Sequence, residues 1–524
     1  MNIDFFFFFI VSKWYFYVLN YTNFTLLTIL PEIFLVALII NILILNILNI
    51  SILKIYNLII FWLILFFNYF FFLVFNYNFF FHFHFFFNNY GLFDFYSIFL
   101  KLSVIILSLF ILIISKNSIY LLKKKILNEF LLLFLFSIFF IIVLFSTNDF
   151  FSSYVALEGM SFSLYIMASV VYYNKLSLEC SIKYFTLGGI ASAILLYGIS
   201  LLFIVTNSID FFVVKYYLLN NLNLILRFDL LIIIICLSIS LFFKLSSFPC
   251  HVWSPDVYEG IWTPITAFFI IVVKTAVFVF FVRIFIYIFS NILILWQPFF
   301  LISGLGSIII GCLGALDQYR IKRFLAYTSI NQIGFLVIGL SLANIQGLAS
   351  SFLFLLIYLT MNLLFFGILL NIEHFTNNLK VIFLVDLYSI DYYNIKINII
   401  WIITFFSMAG IPPTAGFFTK FSILLNSINY SYYWLILIIL FSTTISTYYY
   451  LTFIKYLLFE KKQLINLYFI DYTITFLNYI LLLCNCWILV FFIFFPVLFY
   501  SAFLLTLSCK FLLSNEFLVI KNNI

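Results

Sequence analysis

Four charged side chains, Glu158, Lys244, Lys274 and Lys420, each fall inside or at the edge of a long apolar run. Holding a charge near the middle of a bilayer costs at least roughly 2.5–3.5 kcal/mol, so each needs a partner or a task. The chemistry that one carboxylate and three amines can do together is proton uptake and release. Glu158 stands on a stripe with Tyr154, Ser161 and Tyr165, at i−4, i+3 and i+7, so a polar face on an apolar helix should turn to a protein interior. Lys274 is too deep in its run to reach either surface by snorkelling.

Two of the lysines sit beside prolines. Pro249 follows Lys244 by five residues and removes the donor that would meet the carbonyl of Leu245, so the helix should break there and offer the ammonium a free carbonyl. Glu158, the one carboxylate of the four, is its candidate partner of opposite charge. Pro412 and Pro413 interrupt a second long run, and Lys420 follows Pro413 by seven residues, close to two helical turns, on the face of the break. Breaks are expected within 245–250 and 409–416. A charge snorkelling at a helix end is the plainer account of Lys244 taken alone. It is a weaker account of four charges and two breaks together.

The elements that must position these residues are transmembrane helices. Of 524 residues 66% are hydrophobic and 8% charged, against about 25% charged in a soluble domain. That balance excludes a water-soluble globule, and an all-α polytopic membrane fold is expected because spanning backbone must satisfy its own hydrogen bonds. Apolar runs between polar breaks give about fourteen spans, including 149–171, 183–206, 259–281, 397–424 and 474–505. Residues 5–20 are apolar enough for a fifteenth helix or an interfacial lead-in. The broken helices are the seventh and twelfth, five spans apart, the mark that internal repeats leave in transporters. The organisation expected is a lead-in at 1–26, helices 1–3 over 27–125, two five-helix inverted repeats at 126–281 and 282–456, and a last helix with a tail over 457–524. Freed backbone at mid-membrane then implies two hydrated half-channels.

Charge and cysteine usage exclude other classes. The net charge of +7 has no polar domain to present it to a duplex, so no nucleic-acid partner is expected. Loops on one side hold fourteen basic residues, among them the runs Lys123–Lys125 and Arg320–Arg323, while the opposite loops hold only Lys54, Lys215, Arg227 and Arg283, which places the basic side in the matrix or cytoplasm. Seven scattered cysteines lack metal-ligand spacing, and no Gly-rich phosphate loop follows a strand. No metal, cofactor or disulfide is expected in this chain. The abundance of Phe, Tyr, Ile and Asn follows A/T-rich codons, and the start does not resemble a transit peptide, which together suggest an organelle gene.

Several motifs carry a family resemblance. The stretch from Phe243 to Gly260, with Lys244, Pro249, His251, Trp253 and Pro255-Asp256-Val257-Tyr258, resembles the subunit 2 family of NADH dehydrogenase, called subunit N in bacteria. The segments 181–185, 322–330 and 409–421 match it in the same order, over residues 27 to about 456. A Lys at 420 and Val257-Tyr258 after Pro255-Asp256 favour subunit 2 over subunit 4. The resemblance implies an antiporter-like subunit of respiratory complex I, with proton-path roles on Glu158, Lys244, Lys274 and Lys420. It further implies NADH, FMN, iron–sulfur clusters and ubiquinone on other subunits. The partners implied are other membrane-arm subunits, including the subunit 4 homologue and small core subunits, with lipids around them, in the mitochondrial inner membrane. Where the family often has a His in helix 10, this chain has Gln332, which cannot titrate near neutral pH. Waters lined by Tyr327, Asn331 and Gln332 are the expected substitute. His251 reads equally as a proton gate or a structural hydrogen-bonder. The rival readings are an Mrp-type cation/proton antiporter subunit and a structural subunit whose lysines bind lipid head groups.

Overall fold

The structure, a computed structural model, describes residues 24–47, 52–75, 84–86, 90–120, 124–220, 228–375, 383 and 395–459, with 482–483, 502–503 and 506 beyond them. Long apolar runs fold as helices because only the helix closes every backbone hydrogen bond within one segment. In chain order these are α1 (Phe24–Ile47), α2 (Ile52–Phe75), α3 (Phe95–Tyr120), α4 (Lys124–Ser146), α5 (Phe150–Ala168), α6 (Lys175–Thr206), α7 (Phe211–Asn220), α8 (Phe228–Leu245) and α9 (Trp253–Gly260). There follow α10 (Thr263–Ile288), α11 (Leu293–Leu316), α12 (Ile321–Ser341), α13 (Ile345–Phe375), α14 (Ile395–Ala409), α15 (Ala415–Asn429) and α16 (Tyr433–Phe459). Among the described residues nine helices are long and apolar enough to cross a membrane. The fifteenth helix at 5–20 and the tail lie outside the described residues, as does all but a few residues of the last span at 474–505.

The helices depart from the sequence expectation in places. The sixth span begins at Lys175 rather than 183, because Asn174 accepts from the Leu176 N–H and caps it there. Two short helices, α7 and α9, fill stretches read as loops. A two-stranded hairpin, β1 (His84–Phe86) and β2 (Gly91–Phe93), joins the otherwise helical fold, with Phe85 opposite Leu92. Helix α10 is buried all round and includes two π-helical stretches, Phe269–Val273 and Arg283–Ile288. It forms the centre of the bundle with α12 and α13, while α6 and α16 turn apolar faces outward through residues such as Ile182, Ile204, Trp434 and Phe441.

The helix ends at 245 and 409 are built alike. Ser246 (φ 61°) and Gly410 (φ 82°) each take the left-handed conformation directly after the last helical residue. The N–H of Ser247 then returns to the Phe242 carbonyl at 3.0 Å, and that of Ile411 to the Phe406 carbonyl at 3.1 Å, the six-residue closure of a helix C-terminus. Glycine accepts that φ without a Cβ clash, and at 410 an added Cβ would lie 3.0 Å from Lys420 Cδ. Helices α11 and α12 approach closely for a similar reason, since a Cβ on Gly334 would lie 2.8 Å from the Gly304 carbonyl oxygen.

Candidate functional site

The carboxylate of Glu158 lies on α5, whose stripe faces inward: Ser161 and Tyr165 are buried, and the Ser161 hydroxyl donates to the Glu158 carbonyl at 2.9 Å. Lys244, in the last turn of α8, reaches across to it. Its Nζ donates to Glu158 Oε1 at 3.4 Å and to the Leu157 carbonyl at 3.3 Å, with side-chain exposures of 7% and 14% for Lys and Glu. Of the two partners expected for this ammonium, the carboxylate is met and the freed carbonyl of Leu245 is not used. The Phe243 carbonyl instead accepts from the Trp253 indole at 3.0 Å, which ties α9 back to the end of α8. Lys244 is thereby left to the neighbouring helix.

At the second break the freed carbonyls do hold the lysine. Lys420 Nζ donates to the carbonyls of Met408 at 2.8 Å and Ala409 at 3.0 Å, the last two of α14, and lies 5.5 Å from the centre of the Phe335 ring. One broken helix thus satisfies its ammonium with a carboxylate and the other with the backbone. Only the first is a pair of opposite charges.

Lys274 stands between them in the chain, at the point where α10 returns from π to α geometry. π-Bulges loosen the main-chain ladder and occur often at functional positions. Tyr358 of α13 donates to the Ile270 carbonyl in that stretch at 3.0 Å, while Lys274 Nζ meets the Ser329 hydroxyl at 2.9 Å and sits 5.4 Å from the Tyr258 ring centre. Ser329 belongs to α12, and so does Phe335, so α12 touches both Lys274 and Lys420. Between Lys244 and Lys274 runs an aromatic wall, in which Phe243 stacks on Trp253 at 5.3 Å and Trp253 meets Tyr258 at 5.9 Å.

The other residues singled out from the sequence are placed as follows. Asn331 and Gln332 are buried on α12; Asn331 Nδ2 lies 3.5 Å from the Tyr449 hydroxyl, and the Gln332 side-chain oxygen has no protein donor. Tyr327 packs against Gly314 of α11. His251 lies in the turn between α8 and α9 beside Phe248, with Nδ1 buried and lacking a protein partner. Pro249 lies in that same turn, and Pro412 and Pro413 lie between α14 and α15.

Sequence reasoning passed over further buried charges. Lys101 on α3 is fully buried against Glu32 on α1. Arg283 and Lys215, read as loop residues, are buried: Arg283 pairs with Asp94 at 2.9 Å and donates to the Phe145 carbonyl, and Lys215 lies 4.0 Å from the Tyr287 ring centre. Glu32 and Lys101 carried the same signal as Glu158, a charge within an apolar run. On the basic side, Arg320 and Arg323 pair with Glu259, Arg323 with Asp256 at 3.6 Å, and Lys322 donates to the Ile261 carbonyl at 2.7 Å. These contacts lock the start of α12 onto α9.

Broken helices, buried amines and a buried carboxylate in one helical bundle define an ion-translocating membrane protein of the antiporter type. The chain belongs to the family described as NADH:quinone oxidoreductase/Mrp antiporter transmembrane proteins, whose model matches residues 147–446. It is 37% identical over 368 residues to NADH-quinone oxidoreductase subunit N of Pelagibacter ubique, covering 70% of this chain and 76% of that one. It is 34% identical over 351 residues to NADH-ubiquinone oxidoreductase chain 2 of Marchantia polymorpha, covering 66% and 71%. A chain of respiratory complex I from Thermus thermophilus shares the fold, with a TM-score of 0.70 at 22% identity, over 91% of this chain and 98% of that one.

Proposed function

We propose that this chain is a proton-translocating antiporter-like subunit of respiratory complex I, and that Glu158, Lys244, Lys274 and Lys420 carry the protons. The observation that carries the reading is the buried Lys244–Glu158 pair, 3.4 Å apart on α8 and α5. An ammonium buried beside a carboxylate keeps its proton more firmly than one buried alone. Movement of Glu158, or of a charge in an adjoining subunit, therefore releases a proton from Lys244. The proton passes by way of Lys274 towards Lys420 and leaves through a half-channel at the second break. Gln332 and Asn331 orient waters on α12 rather than titrating. His251, in the turn beside Lys244, lines the entry.

The chain is one subunit of an NADH:ubiquinone reductase that translocates protons, and the redox chemistry sits on other subunits. The match between the two breaks, with left-handed Ser246 and Gly410 and the same six-residue closure, supports a pair of inverted repeats over 126–281 and 282–456. The names of the relatives favour complex I over an Mrp antiporter. The mitochondrial inner membrane is the proposed location, with the subunit 4 homologue and small core subunits as neighbours.

The test is proton movement in vesicles holding the assembled complex with Glu158→Ala. Expected is a loss of pumping while NADH oxidation by artificial acceptors stays nearly intact. Normal pumping by that variant returns Glu158 to a helix-packing role.

A further inference from the structure

A second buried acid lies at the corner where α4 turns into α5. Asp149 is 1% exposed and precedes the first residue of α5. It forms an antiparallel bridge with Asp210, which precedes α7. The bridge is framed by two main-chain hydrogen bonds: the Phe150 N–H donates to the Ile209 carbonyl at 3.1 Å, and the Phe211 N–H to the Asn148 carbonyl at 3.0 Å. Bonds placed on the neighbours rather than on the pair itself mark a non-hydrogen-bonded pair. That geometry brings opposite Cα atoms to about 4.5 Å and their side chains closest together.

Two carboxylates therefore face each other across the narrowest spacing a β-ladder offers, where like charges repel. Neither side-chain oxygen of Asp149 has a donor in good hydrogen-bond geometry, and the Ser152 hydroxyl nearby is only a minor influence favouring the charged form. The Ser152 hydroxyl, one turn on, donates to the Asp149 main-chain carbonyl at 3.2 Å. The other charged groups on the elements packed around this corner have partners of their own: Asp94 and Arg283 pair with each other, and Lys215 sits on Tyr287. A buried carboxylate without a cation or a well-aligned donor, opposite a second acid, lacks one component that would make it stable, and a proton is the smallest species that supplies it.

We propose that Asp149 and Asp210 form a proton-binding site that holds one proton between two carboxyl groups. Asp149 is the buried member and Asp210, which is partly exposed, is the member through which the proton enters and leaves. Burial, followed by the Asp210 charge, raises the Asp149 carboxyl to about 7. The folded state then binds more protons than the unfolded chain between the ordinary Asp range and about 7, so this corner is firmest at or below the ordinary Asp range and loosens progressively as pH rises from there to about 7. The site lies on the end of the bundle opposite the basic loops. Because Asp149 immediately precedes α5, its occupancy bears on the helix that carries Glu158 nine residues further along. Proton binding at this pair stands independently of the translocation reading, whereas its placement on the outward side rests on that reading.

The experiment is an infrared pH titration of the assembled complex, wild type against Asp149→Asn and Asp210→Asn. Asparagine has the shape and neutrality of the protonated acid. A protonated-carboxyl band titrating near pH 7 in the wild type is expected, missing from Asp149→Asn and shifted to lower pH in Asp210→Asn, where burial remains but the second charge is gone. A band that persists in Asp149→Asn, or a pair fully ionised down to the ordinary carboxylate range of about 4, overturns the site. Should either variant fail to assemble, amide exchange at Phe150 and Phe211 in the wild-type complex decides. Protection that falls as pH rises towards 7 and levels off above it, after correction for intrinsic exchange, supports the pair, and pH-independent protection refutes it. Pumping by Glu158 variants is a separate readout, so failure of one idea leaves the other measurable.

Discussion

Lys244 donates to Glu158 at 3.4 Å across the gap between α8 and α5, although 86 residues separate them in the chain. Among the described residues Lys420 donates its hydrogen bonds to the backbone carbonyls of Met408 and Ala409. The asymmetry assigns different tasks to the two breaks. A carboxylate partner can be withdrawn by helix motion, whereas the last carbonyls of α14 are fixed relative to the turn that follows them. The first break is the place where an external movement changes proton affinity, and the second is a fixed station.

Lys244→Met should remove the proton carrier while leaving Glu158 buried without its cation. Breaking a buried pair from one side costs roughly 3–5 kcal/mol, so the variant should be less stable as well as inactive in pumping. The double variant Lys244→Met with Glu158→Gln should recover stability without recovering pumping. Thermal melting of the assembled complex and proton movement per NADH separate the two effects. Recovery of pumping in the double variant would show that neither group carries protons.

Ser329→Ala should weaken proton passage at Lys274, because its hydroxyl, 2.9 Å away, is the described hydrogen-bond partner of that ammonium. A hydrogen bond to a charged group contributes about 1.5–3 kcal/mol. A fall of about tenfold or more in the pumping rate, with artificial-acceptor activity unchanged, is the expected outcome. Unaltered pumping would mean that Lys274 exchanges protons by a route independent of α12.

Gly410→Ala should be tolerated in assembly yet impair pumping. The left-handed φ of 82° costs a residue with a Cβ roughly 1–2 kcal/mol, and the added carbon meets Lys420 Cδ at 3.0 Å and Nζ at 3.2 Å. The ammonium must shift away from the Ala409 carbonyl. Ser246 already carries a side chain in the same conformation at the first break, so Ser246→Gly should stabilise rather than harm. Comparing the two variants in one pumping assay distinguishes backbone strain from displacement of the lysine.

Arg320 and Arg323 should be reached by membrane-impermeant guanidine reagents only from the matrix or cytoplasmic side. They are about half and one-third exposed, respectively, at the foot of α12, against Asp256 and Glu259. Labelling from the opposite compartment would invert the topology, and with it the outward placement of the Asp149–Asp210 pair.

The sequence by itself determined the solvent of this protein and the order of its parts. Apolar run length decided where helices lie, since backbone in lipid has no alternative to helix within one segment. Proline and glycine, acting on their own backbone, located the ends at Leu245 and Ala409. Glu158, Lys274 and Lys420 were legible because a charge is conspicuous in an apolar run. Which group meets which was decided only by tertiary structure, because side chains apolar on nearly every face say little about which side of a helix packs inward. The sequence left Lys244 with two candidates, an adjacent carbonyl and Glu158, and packing decided for Glu158. It left Arg283 and Lys215 in loops, and the corner between α4 and α5, the π-helical end of α10 and the short α7 buried both. Asp149, at the start of an apolar run, and Asp210 stand 61 residues apart in the sequence, and a two-bond ladder, set by the meeting of two chain turns, put one opposite the other. Local rules act over a few residues, so they fix elements and their ends. Proton chemistry depends on distances of a few ångströms between distant segments, and packing alone sets those.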